Sequence, residues 1–257
     1  MNGAFYIGAV GLDSQTRALE VVANNIANVN TNGFKRSRAQ FSELTGARAE
    51  RVDETRDDAA SPPAFWGAGM QVSAPDFTEG PLTQTGQPLD FAISGPGFVE
   101  LMGSGGQIQL WRGGTLQINA DGFLSGPGGA PLKAMISVPA GASSLTISAD
   151  GTVSAVLSGS TSATNIGQID VVQDKDLTSI TVQPGGVYLP ANINDLTNAT
   201  PGEDGAGSLV QGSLETSNVD LSTEMVTLML MQRAYAANAQ VVQAGDQLMS
   251  IANNLRR

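Results

Sequence analysis

The sequence predicts an α+β chain in which N- and C-terminal helices pair as a coiled-coil-like layer, with a central mainly-β domain of hairpins. Three observations carry this. Apolar residues recur at 3.5-residue spacing near both ends, the period of a helical seam. Two similar segments in the middle, LQINADGFLSG (116–126) and LTISADGTVSA (145–155), each set Asp-Gly between strand-like runs, a strong hairpin signal. Glycine is plentiful, 31 of 257 residues, and aromatics are only 5%, which suits turns and sheets better than helices throughout.

At the N-terminus, Phe5, Leu12, Leu19 and Ile26 fall in one heptad column. Gly8, Gln15, Val22 and Val29 fall in the other, with Gln15 as its polar break. Asn24, Asn25 and Asn28 lie off both columns. Asn30, Asn32 and Gly33 read as a stop, with Gly33 supplying a left-handed cap. Lys35, Arg36 and Arg38 follow, near the negative end of the helix dipole. Residues 46–63 (GARAERVDETRDDAASPP) are charged, small and proline-terminated, which reads as an exposed arm. Strand character then marks LDFAISG (89–95), GFVELM (97–102), QIQLW (107–111), IGQIDVV (166–172) and GGVYLP (185–190).

From Ser217-Asn218-Val219-Asp220, a plausible N-cap region, a helical pattern runs to Arg257 without proline. Leu221, Leu228, Tyr235, Val242 and Met249 form one column. Leu230, Ala234, Ala237, Val241, Ala244, Leu248, Ile251 and Leu255 form a second stripe on another face. One stripe can dock on the N-terminal helix. The other points to neighbouring copies of the protein, or to burial between two layers of its own domain. The expected plan is a helical assembly domain (1–33 and 217–257), a connecting region with the arm (34–88 and 200–216), and an outer β domain (89–199).

Composition excludes much. Net charge is −11 with pI near 4.3, which disfavours nucleic acid and anionic membrane surfaces. The chain has no Cys and no His, so thiol nucleophiles, imidazole bases and Cys/His metal sites are ruled out. Asp121 and Asp150 match in position within their Asp-Gly turns, which favours a structural role over acid–base chemistry. PGEDGAG (201–207) lacks the spaced ligands of an EF-hand and reads as a connection. Trp66, Trp111 and Phe65 could stack on sugar rings, but aromatics this sparse more often pack a small β core. No run is long enough to span a bilayer, and the first 30 residues lack the pattern of a cleaved secretory signal. An enzyme reading is poor, and no cofactor is expected.

The ends carry a resemblance. ANNIANVNTNGFKR (23–36) closely resembles a signature of the bacterial flagellar rod and hook protein family. GSLETSNVDLSTEMVTLMLMQRAYAANAQVVQAGDQLMSIANNL (212–255) is similar to that family's C-terminal signature. LDFAISGPGFVEL (89–101), INADGFLSGPGGAPL (118–132) and IGQIDVV (166–172) resemble its central β blocks. PGEDGAGSLVQGSLETSNVDL (201–221) is most like the distal-rod branch, with the proximal-rod branch as the alternative. Two departures bear on the branch: Trp111-Arg112-Gly113-Gly114 stands where relatives commonly have aromatic-Thr-Arg-Asp-Gly, and Ala236 stands where an acidic residue often follows the Arg-Ala-Tyr motif.

The resemblance implies export through the flagellar type III apparatus without a cleaved signal, then polymerisation at the growing tip. Terminal helices would line an inner tube with the β domain outside, in a shaft that crosses the periplasm and passes motor torque to the hook. Partners would be copies of itself, other rod and hook proteins, the surrounding basal-body rings and the export apparatus. The residues marked for self-assembly are Leu12, Leu19, Val22, Asn24, Asn25, Ile26, Asn28, Val29 and Gly33 at one end. At the other they are Asn218, Leu221, Leu228, Gln232, Arg233, Tyr235, Val242, Leu248 and Met249. Asparagine amides near the helix end would bond neighbouring subunits and fix register. Rival readings are a soluble sugar-binding or adhesive β module and a carboxylate-based hydrolase.

Overall fold

The computed structural model describes residues 2–45, 65–103, 105–159, 162–203 and 205–255, so the 46–63 arm lies outside the described residues. The fold is α+β, two long helices and many short antiparallel strands, arranged in two units. One unit holds the chain up to Ile26, residues 37–73, and everything from Leu221. The other holds Ala27–Arg36 and Ala74–Asp220.

In the helical unit, helix α1 spans Asn2–Ala27 and helix α2 spans Leu221–Leu255. They approach through small residues. A methyl group added at Gly8 would lie 2.5 Å from Val242 Cγ2, and one at Gly11 would lie 3.3 Å from Asn238 Nδ2. Near the other end of α1, Asn25 Nδ2 donates to Glu224 Oε2 at 3.3 Å. Partners thus advance along α1 as they retreat along α2, so the contacts run antiparallel. Gly8, Ser14, Ala18, Val22 and Asn25 are buried, while Leu12, Leu19 and Ile26 are half-buried. Leu12 and Leu19 are thus less buried than the small residues Gly8 and Ala18 of the same helix. The same unit contains an antiparallel hairpin, Ala39–Thr45 with Phe65–Val72, inside what the sequence reading took as connection.

α1 ends at Ala27, before the expected Asn30–Gly33 stop. Asn28 opens a turn instead: its carbonyl accepts from Thr31 N–H at 3.1 Å and its Oδ1 from the Thr31 hydroxyl at 3.1 Å. Gly33 takes the left-handed conformation expected of it, with φ 69°. The early stop corrects one reading. Lys35, Arg36 and Arg38 lie well past the last turn, where a helix dipole has faded; Lys35 and Arg36 answer to carboxylates instead.

The β unit is built from small antiparallel sheets. Thr181–Gln183, Val187–Leu189, Ile108–Trp111 and Val99–Met102 form one, and Ser208–Gln211, Asp90–Ser94 and Gly113–Thr115 another. Both Asp-Gly segments are hairpins, Gln117–Ile118 with Leu124–Ser125 and Ala142–Ile147 with Thr152–Leu157. Their turns close alike, Gly122 N–H to Asn119 O and Gly151 N–H to Ser148 O, both at 3.0 Å. The run 166–172 is not one strand: Ala163–Gln168 ends and Val171–Asp174 begins in a different sheet. Phe91, Ile93, Leu101, Leu124, Val153 and Val171 centre the main core. A smaller one joins Phe98, Leu110, Val172, Ile180 and Tyr188.

Candidate self-assembly surface

α2 carries more apolar surface than α1 covers. Leu228, Met231, Ala234 and Val242 are half-buried on the side that holds Glu224 and Asn238. Around the rest of the helix, Leu230 is 59% exposed, Val241 60% and Ile251 56%, with Met225, Val226, Met229 and Tyr235 exposed as well. Between Met225 and Asp246 the only charged residue is Arg233. A near-uncharged helix with apolar residues on all sides resembles one meant to be enclosed.

The marked residues therefore divide. Val22, Asn25 and Gly33 are buried; Leu12, Leu19, Ile26, Asn28, Val29, Asn218, Leu228 and Val242 are half-buried. Asn24, Leu221, Gln232, Arg233 and Tyr235 are exposed. The side chains of Leu248 and Met249 lie outside the described residues. Asn25 and Asn218 use their amides within the chain. Asn25 Nδ2 also donates to Ser37 O at 2.8 Å, and its Oδ1 accepts from Ser37 N–H at 3.1 Å. Asn218 Oδ1 accepts from Arg36 N–H at 2.8 Å, while its Nδ2 donates to Asp76 O at 2.7 Å and Thr78 O at 3.1 Å.

The segments that follow α1 and precede α2 in sequence meet in the β unit at a charged cluster which sequence reasoning missed. Lys35 and Arg112 converge on Glu215, and all three side chains are at most 2% exposed. Glu215 Oε1 accepts from Lys35 Nζ and, at 2.9 Å, from Gly80 N–H; its Oε2 accepts from Arg112 Nε at 3.2 Å. The Arg112 guanidinium also donates to Gly95 O at 2.9 Å and Gly97 O at 2.8 Å. Gly80 must be glycine here, because a methyl group there would collide with the Thr216 carbonyl. Burial pulls the Lys35 ammonium below its ordinary pKa, against the hydrogen bond and charge of Glu215. The Tyr188 phenol, which donates to Gly33 O at 3.2 Å, is pushed well above its ordinary value by burial and then by the charge of Glu215. The only sequence signal was a lone charge in otherwise uncharged stretches: Arg112 beside Trp111, and Glu215 in SLETSN.

The rival chemistries find little to work with. Trp111 is buried and packs edge-on against Phe91 with centroids 5.2 Å apart, so its face is not offered to a sugar. Asp150 accepts from the Thr152 N–H at 3.1 Å, which with the Thr152 hydroxyl holds its carboxyl below the usual range, the role of a turn residue. Asn119 Oδ1 accepts from Asp121 N–H at 3.0 Å in the matching turn.

Three family models match the chain. Residues 5–35 match the flagella basal body rod protein model, 92–155 the D1 domain of the flagellar hook protein FlgE/F/G, and 210–255 the C-terminal region of the flagellar basal body rod FlgEFG protein. The chain is 32% identical over 251 residues to the flagellar basal-body rod protein FlgG of Buchnera aphidicola subsp. Schizaphis graminum, covering 96% of each. It is 35% identical over 260 residues to FlgG of Agrobacterium fabrum, covering 96% of this chain and 97% of that one. It is also 32% identical over 248 residues to the rod protein FlgF of Caulobacter vibrioides, covering 94% and 93%. Nothing in these comparisons supports a sugar-binding module.

Proposed function

Since the chain belongs to the flagellar basal-body rod protein family, we propose that it is the distal rod subunit, which self-assembles through its terminal helices into a helical tubular shaft carrying torque from motor to hook. The observation that carries this is the second apolar face of α2, around Leu230, Val241 and Ile251, exposed in the single chain. At about 25 cal/mol per Å² of apolar area, enclosing that face between copies is the driving force for assembly. The antiparallel contacts of α1 with α2 support a coiled-coil-like layer, in which Gly8 and Gly11 permit close approach. Full-length FlgG matches favour the distal over the proximal branch. Location in the periplasmic part of the basal body, export without a cleaved signal, and contacts with neighbouring rod, hook and ring proteins belong to the same reading, and the chain has no catalytic role in it. Electron microscopy of the purified chain tests it. Tubes or filaments are expected, lost on deleting residues 1–30 or 221–257. A stable monomer at every concentration, or filaments formed without the terminal helices, would contradict it.

A further inference from the structure

Lys35 and Arg112 share one carboxylate but do not depend on it equally. We infer that the strand Ser213–Glu215 is a template for the linker Gly33–Arg36, so that the N-terminal linker locks into the β unit only after the C-terminal strand is in place. Lys35 is fully enclosed, and its partners are Glu215 and, at 2.7 Å, the Thr78 carbonyl. Without Glu215 the buried ammonium would lose its hydrogen-bonded carboxylate and keep only the charge of Glu79, the weakest of those acting on it, a state that expels the side chain rather than tolerates it. The backbone repeats the dependence: Gly33 N–H donates to Glu215 O at 2.7 Å, and Arg36 N–H to the Asn218 side chain at 2.8 Å. The linker's other attachments are the Tyr188 hydroxyl on Gly33 O, the Asn218 N–H on Phe34 O at 3.4 Å, the Asp76 N–H on Arg36 O at 2.8 Å and the Arg36–Asp76 ion pair, and none of them brings a carboxylate to Lys35.

The strand has anchors of its own. Ser213–Glu215 pairs with Leu82–Gln84, Thr216 N–H donates to Pro81 O at 2.9 Å, and Glu215 keeps Arg112 and Gly80 N–H when Lys35 is absent. The coupling free energy is reciprocal, yet its visible effect is one-sided, because Glu215 without Lys35 keeps Arg112 and the Gly80 N–H, whereas Lys35 without Glu215 keeps no hydrogen-bonded carboxylate. Lys35 and Glu215 are 180 residues apart. A chain made from its N-terminus therefore carries an open linker until nearly all of it is available. This inference does not rest on the rod assignment.

Amide hydrogen exchange on the full-length monomer tests it, comparing Glu215→Gln and Lys35→Met with the parent chain. In Glu215→Gln, the Gly33 and Arg36 amides are expected to exchange about tenfold faster or more. In Lys35→Met, residues 213–216 are expected to stay within about twofold of the parent. Should Glu215→Gln not fold, the double variant Lys35→Met/Glu215→Gln, which removes the uncompensated ammonium and leaves Arg112 its bonds to the Gly95, Gly97 and Ile93 carbonyls, is expected to fold. A linker that stays protected in Glu215→Gln, a strand that opens in Lys35→Met, or a double variant that also fails to fold would each overturn the inference.

Discussion

Asn25 on α1 and Glu224 on α2 meet in the buried seam of the helical unit, Nδ2 to Oε2 at 3.3 Å, although 199 residues separate them in sequence. Asn25 is 1% exposed and also holds both backbone groups of Ser37, so one amide ties the second helix and the outgoing chain to the end of the first. Replacing it with alanine strands the Ser37 groups and the Glu224 carboxylate together. Asn25→Ala is expected to cost the helical unit about 1–3 kcal/mol. Denaturant unfolding followed at 222 nm checks this, and an unchanged midpoint would show that the amide contributes little.

Closest approach of the helices depends on the missing side chain at Gly8. Gly8→Leu must displace Val242, whose Cγ2 lies 2.5 Å from the first added carbon. The variant is expected to lose assembly while the near-ultraviolet signal of the β unit persists, since Phe91, Trp111 and Tyr188 lie elsewhere. Overpacking of this kind costs about 1–3 kcal/mol or more.

Asp76 gives the β unit an acid limb. Burial alone raises its carboxyl, but hydrogen bonds from the Thr78 N–H and hydroxyl, and from Arg36, outweigh this and hold it below its ordinary 3.8. A carboxyl with a depressed folded-state value stabilises fully above its unfolded value, and that stabilisation is lost as pH falls through the folded value. The urea midpoint is therefore expected to fall below about pH 4, and Asp76→Asn to weaken that dependence. Asp150 and Asp176, held low by Thr152 and Thr178, share the same sign.

Tyr188 sets the alkaline limb. Its phenol keeps its proton when folded, well above the ordinary 10.0, whereas the unfolded chain releases it near that value. Stability is thus expected to fall as pH rises through about 10. Tyrosinate absorbance at 295 nm should show one component that appears only with unfolding, and Tyr188→Phe should remove it. Ionisation of that component in folded protein would contradict the burial assigned to it.

What was legible in the sequence was local. Heptad columns marked both helices, and α2 begins at Leu221, directly after the proposed cap region. The duplicated Asp-Gly segments marked two hairpins, because the turn chemistry and the strands lie within a dozen residues. Pairings across long separations left no such trace. The strands Ala39–Thr45 and Phe65–Val72 pair although residues 46–64 separate them in sequence, so no short turn announces them. Glu215 finds Arg112 across 103 residues and Lys35 across 180, and neither spacing carries a period. Asn25 was read as off the seam because one column was drawn through Leu12, Leu19 and Ile26, whereas the more buried positions, Ala18 and Asn25, lie one residue earlier, and a satisfied amide is compatible with burial there.

The central claim is that the free face of α2 is covered by other copies of the chain. Because the protein has no cysteine, Val241→Cys introduces a single reporter thiol on that face. Its rate of reaction with a small maleimide can be compared in dilute monomer and in assembled filaments. The account predicts rapid labelling of the monomer, where Val241 is 60% exposed, and labelling slowed at least about tenfold in filaments. Equal labelling in both states would mean that assembly leaves this face open to water, and the account would be wrong.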